Sequence, residues 1–164
     1  MDFLLKLEQT GFAAWVRESS SLWAYPTILF LHTIGMATVV GVSAGIDLRI
    51  LGFAPTLPVA PMTRLFPIMW FGFGINAASG TALLIADAST KLTSPVFYVK
   101  MTFIALAIVN LRLLKTRVFG DPSIDKGSLP TNARLLAASS LIFWIGAITA
   151  GRLMAYLGPV SGLG

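Results

Sequence analysis

Four long apolar runs alternate with short polar segments along the chain, at about residues 25–46, 65–86, 96–114 and 135–157. A membrane-crossing helix needs about 20 predominantly apolar residues. In lipid, a helix also satisfies its own backbone groups, so each run is expected as one transmembrane helix. The connections carry breaker chemistry, as in FAPTLPVAPM at Phe53–Met62 and GDPSIDKGSLP at Gly120–Pro130. Ahead of the first run, Phe3, Leu4, Leu7, Phe12, Trp15 and Val16 recur at helical spacing opposite Lys6, Glu8 and Arg17. That spacing predicts an amphipathic helix over 2–18, lying in the membrane interface. No internal repeat is visible. The expected fold is an all-α integral membrane protein, one domain over 1–164, built as a four-helix bundle with an interfacial N-terminal helix.

Composition agrees with lipid as the solvent. The chain is 55% hydrophobic and 12% charged, against about 25% charged in a soluble domain. The first twenty residues lack the basic start and small-residue cleavage site of a secretory signal. Cysteine is absent, which removes disulfides, thiolate metal sites and cysteine nucleophiles. The net charge of +5 does not make a nucleic-acid face. The basic residues lie at the ends of apolar runs, where they meet lipid headgroups. Trp23, Tyr25, Trp70, Trp144 and Tyr156 partly fit interfacial belts, with Trp70 and Trp144 deeper.

The first and third connections carry Arg49, Arg64, Arg112, Lys115, Arg117, Lys126 and Arg134; the other side carries Lys6, Arg17, Lys91, Lys100 and Arg152. Seven basic residues against five put both termini outside the cytoplasm by the positive-inside rule. Gly41 and Gly45 form a GxxxG, and Gly72, Gly74, Ser79 and Gly80 thin the second run, as small residues do where helices pack. Close packing within one bundle is the reading favoured over a dedicated dimer face.

His32 is the single histidine. At a rise of about 1.5 Å per residue it lies about 10 Å inside the outer end of the first span, with Lys100 about 6 Å and Arg152 about 7 Å inside theirs. Asp87 closes the second span on the same side. His32, Lys100 and Arg152 are therefore candidate cofactor-binding residues, one imidazole and two cations facing an anionic, partly apolar ligand. Haem suits them, with His32 as the iron ligand and the cations on the propionates. A quinone headgroup, a lipid phosphate or another anion suits them too. With one histidine, bis-histidine ligation within a chain is impossible. The plainer roles are a helix-to-helix hydrogen bond for His32 and snorkelling to the interface for Lys100 and Arg152. Asn76 and Asn110 are expected to join helices, to each other or to Ser and Thr, at about 0.6 to 2 kcal/mol. Asp47, Arg49, Arg64 and Arg112 form a second, structural set, Asp47 pairing with Arg64 or Arg112 at the helix ends. No nucleophile elbow, phosphate loop or histidine pair is present.

The run LHTIGMATVVG…DLRILG, then FYVKM and GRLMAY, resembles an uncharacterised family of bacterial four-helix inner-membrane proteins over about residues 22–157. A fainter similarity is to the membrane-bound, oxygen-independent protoporphyrinogen oxidase of bacteria. That family also has a histidine early in its first long helix, matched by His32, and a "VK" entering a later one, matched by Lys100. Its other histidines are missing here. The first resemblance implies the bacterial inner membrane and no activity; the second implies a tetrapyrrole or redox association. Three functions stay open: a haem- or quinone-type cofactor module, a non-catalytic accessory or assembly subunit partnered by other membrane subunits or a second copy, and a small transporter or channel. Pro67 is the only candidate helix break for the last.

Overall fold

The computed structural model describes residues 2–121, 124, 129 and 131–156. Parts of the Gly120–Pro130 connection, Lys126 among them, and Leu157 lie outside the described residues. The elements are α1 (Asp2–Glu8), α2 (Gly11–Glu18), α3 (Tyr25–Leu51), a 3-10 helix (Ala60–Leu65), α4 (Phe66–Ala86), α5 (Ala88–Thr93), α6 (Pro95–Arg117) and α7 (Thr131–Tyr156). No strand occurs among the described residues. Four helices are long and apolar enough to cross a membrane: α3, α4 with the 3-10 turn before it, α6 and α7.

Local chemistry sets the boundaries. Pro26, Pro67 and Pro95 stand in the first turns of α3, α4 and α6, where a missing N–H costs nothing. Pro67 thus opens α4 and does not break it. Gly52 ends α3 at φ 112°, a left-handed conformation that favours glycine. The segment 2–18 differs from the continuous helix expected. It breaks at Gln9 and Thr10, where the Thr10 hydroxyl caps Ala13 N at 3.3 Å and restarts the chain as α2. Two pieces of the breaker segments are also helical, α5 and the 3-10 helix.

Helices α4, α3, α7 and α6 pack in that order, each chiefly on the next, and α4 makes little direct contact with α6. We call the end holding α1, α2 and α5 the near end and the other the far end. At the far end the α4–α6 seam closes over Ile46, Ile50, Phe66, Met69, Leu111 and Leu114. Phe66 meets Phe119 edge-on at 5.1 Å, and Lys115 and Arg112 lie over the rings of Phe66 and Trp70. Toward the near end the seam opens.

Helices α1 and α2 pack against α5 and α4. Glu8 Oε1 accepts from both Ser89 N and Ser89 Oγ at 2.7 Å. Arg17 donates to Ala86 O, a carbonyl at the end of α4, and to Glu8 O. The Ser89 hydroxyl and N–H hold the Glu8 carboxyl below its usual range. Glu8 therefore stabilises the folded chain above the ordinary carboxyl value of 4.5. That contribution is lost as pH falls below it, through the depressed folded value. Glu8→Gln is expected to raise amide hydrogen exchange at Ser89 and its neighbours at neutral pH. Below the folded value of Glu8, variant and wild type should exchange alike.

Candidate functional site

A cleft of about 940 Å³ opens where α4 and α6 part, walled by α3, α4, α6 and α7 and roofed by α5. Its apolar wall includes Leu29, Leu83, Leu84, Phe97 and Met154, and its polar groups include His32, Lys100, Asp87 and Lys91. A smaller chamber of about 30 Å³ lies deeper, and His32 and Lys100 line it as well, with Asn76 and Trp144. Those two residues therefore stand between the cleft and the chamber. The larger volume falls within the roughly 300–1,000 Å³ typical of ligand sites.

The His32 ring is tied to α4. Its Nδ1 lies 3.0 Å from the backbone oxygen of Asn76 and 3.3 Å from Ser79 Oγ, while Asn76 Nδ2 donates to His32 O at 2.8 Å. Asn76 Nδ2 is also 3.3 Å from Nδ1, a longer contact than that to the Asn76 carbonyl, and Ser79 Oγ donates to Ile75 O at 2.6 Å. A carbonyl oxygen can only accept, so these partners assign the proton to Nδ1. Nε2 is left as an acceptor with no hydrogen-bond partner among the described residues. A Cβ on Gly80 would come within 2.9 Å of His32 Cε1, so the glycine is what admits the ring against α4.

Lys100 reaches the site from α6. Its aliphatic stem passes over Gly151 of α7, with Cε 3.6 Å from where a Cβ would sit. The ammonium makes no hydrogen bond or ion pair among the described residues. Asp87 is bound to Lys91 at 2.7 Å across the roof. Arg152 stands apart from His32 and Lys100. It is exposed and lines neither cavity, because Gly151 takes the inward position on α7 and the next residue turns about 100° away.

The structural polar residues are placed differently from one another. Asn76 joins α4 to His32, as above. Asn110 donates to Ser139 Oγ at 2.6 Å and does not meet Asn76. Arg49 donates to the Pro55 and Leu57 carbonyls, and Arg112 lies over Trp70. Neither Arg112 nor Arg64 pairs with Asp47, which corrects that expectation. Asp47 is 1% exposed and accepts from Ser43 Oγ at 3.3 Å. The sequence marked Gly80 as a packing residue and Trp144 as a deep aromatic, but not their places at the site, which depend on which residues face them across the bundle. No family model, curated protein or solved structure matches the chain.

Proposed function

We propose that the protein is a multi-pass membrane module of the bacterial inner membrane that binds a haem- or quinone-type redox cofactor in the near-end cleft. Both termini lie on the periplasmic side, and α1 and α2 rest in the interface. The exposed Phe3, Phe12, Trp15, Trp23, Tyr25 and Tyr156 at that end support the placement. The observation that carries the function is His32, whose Nδ1–H is held by a backbone carbonyl while Nε2 is free at the cleft wall. That is how a ligating imidazole is oriented.

The residues fit haem: His32 Nε2 would hold the iron and Lys100 would meet an acidic group, while Lys91 stays paired with Asp87. When bound, haem supplies one-electron chemistry. They also fit a quinone headgroup, where Lys100 Nζ would donate to a carbonyl oxygen and His32 Nε2 would accept a hydrogen bond from a hydroxyl of the reduced form. In both cases the apolar wall excludes water. The roof pair Asp87–Lys91 sets the entrance.

The test uses purified protein offered haemin and, separately, a short-chain benzoquinone. A Soret band with haemin, or saturable quenching of tryptophan fluorescence by the quinone that Trp144→Phe diminishes, is the expected result. Failure of both overturns the reading. Lys100→Gln is expected to weaken whichever ligand binds by about 10–150-fold, as removal of one charged hydrogen bond of about 1.5–3 kcal/mol does.

The second reading, an accessory subunit that packs on a partner or on its own copy, has its own observation. Gly41 and Gly45 face outward on α3 with nothing within 4 Å. They are not used inside the bundle. Cysteines placed at Gly41 and cross-linked in membranes distinguish this reading.

A further inference from the structure

Asp47 is the most deeply buried charged side chain in the described chain, and its surroundings contain no cation to meet it. It is 1% exposed, with Ser43 and Ser140 each at 2%. Ser43 Oγ lies 3.3 Å from Asp47 Oδ2 and 3.3 Å from Ser140 Oγ. Trp144 Nε1 donates to Ser43 Oγ at 3.1 Å. The second carboxyl oxygen, Oδ1, is buried with no hydrogen-bond partner.

The charged groups of the surrounding elements are all turned elsewhere. Arg49 is on loop carbonyls, Arg112 and Lys115 lie over aromatic rings, and Arg64 and Arg134 are exposed. His32 and Lys100 lie toward the near end, beyond Trp144. None of these forms an ion pair with Asp47 among the described residues. A buried carboxylate without a counter-charge is costly, and ionisable groups inside an apolar bundle are retained for a reason.

We propose that Asp47, Ser43 and Ser140 form a buried site for one monovalent cation, a proton or a sodium ion, bound at Asp47 Oδ1. The donors are all hard oxygens and carry a single negative charge. One carboxylate balances a single positive charge, so a monovalent occupant leaves no net charge in the apolar bundle whereas a divalent ion would leave one uncompensated. Buried polar atoms are ordinarily partnered, and the occupant would partner Oδ1. Asn110 extends the same polar layer through Ser139, the neighbour of Ser140, and its Oδ1 is also buried without a partner.

The site lies between two cavities. Ile50, one turn beyond Asp47, lines a far-end cavity of about 400 Å³. Trp144 lines the chamber of about 30 Å³ that His32 and Lys100 share, which has room for about one water. Trp144, bonded to Ser43 Oγ, stands between Asp47 and that chamber. The assignment does not depend on what fills that cleft.

Thermal unfolding of the purified protein in detergent tests it, with sodium chloride replacing choline chloride at constant ionic strength and over a range of pH. If sodium is the occupant, the wild-type Tm rises with sodium by about 5 °C or more at a hundredfold excess over Kd, and Asp47→Asn removes the response. If a proton is the occupant, Tm is indifferent to sodium but depends on pH, and Asp47→Asn changes that dependence while leaving the acid-side loss that belongs to Glu8. Superimposable curves for wild type and Asp47→Asn in both titrations overturn the proposal. Should Asp47→Asn fail to fold, Ser140→Ala serves. It is expected to shift the midpoint of whichever response is present, and an unchanged midpoint overturns the site.

Discussion

Alanine in place of His32 is expected to abolish cofactor binding at the near-end cleft, removing the Soret band of haemin-loaded protein or the saturable quinone quenching of tryptophan fluorescence. The argument rests on how completely the ring is fixed. Asn76 O holds Nδ1 from behind, and Gly80 leaves just enough room for the ring edge. Nε2 stays unbonded at a wall that Lys100 shares. No other imidazole exists in the chain to substitute. The loss should therefore be complete for a metal bond and large for a hydrogen bond.

Gly80→Ala supplies the graded control. Its Cβ would press on Cε1 at 2.9 Å and on Nδ1 at 3.3 Å, rotating the ring without removing it. Disturbing the groups that orient a ligand typically costs 10–100-fold in affinity, so a weakened site is expected here, not an absent one. If His32→Ala keeps full binding while Gly80→Ala loses stability, His32 serves only to join α3 to α4.

Much of the fold was legible because hydrophobic length needs no knowledge of neighbours. The four apolar runs each became a helix, yet several ends moved. α3 continues past Asp47 and Arg49 to Leu51, since Asp47 finds Ser43 inside and Arg49 finds loop carbonyls outside. Neither partner could be read from charge complementarity, which pointed to Arg64 or Arg112.

Depth was likewise legible and azimuth was not. A rise per residue placed His32, Lys100 and Arg152 at one height, but only the packing decides that Gly151 faces Lys100 and Arg152 faces out. The small-residue pattern misled for the same reason. Gly41 and Gly45 fit the familiar spacing, whereas the close approach is made by Gly35 and Gly72 on facing helices, a pairing that exists only across two segments.

That close approach leads to the second large effect: Gly35→Ala is expected to destabilise the bundle by about 1–3 kcal/mol, or very roughly 2–12 °C in Tm. The added Cβ would meet Asn76 N at 2.7 Å and Gly72 O at 2.8 Å. Both are backbone atoms within a helix, so no rotamer change relieves them and α3 must move away from α4. The move opens the Asn76 Nδ2 bond to His32 O one turn earlier, and so the variant should also weaken the ligand site. Alanine has the better helix propensity, by about 0.8–1.0 kcal/mol over glycine, which offsets part of the loss. Gly41→Ala isolates that term, because its Cβ meets nothing within 4 Å. It should be neutral or slightly stabilising in a monomer. Thermal unfolding of the two variants side by side decides the matter. A damaging Gly41→Ala with a harmless Gly35→Ala would mean that the outward GxxxG face, and not the α3–α4 contact, holds the working assembly together.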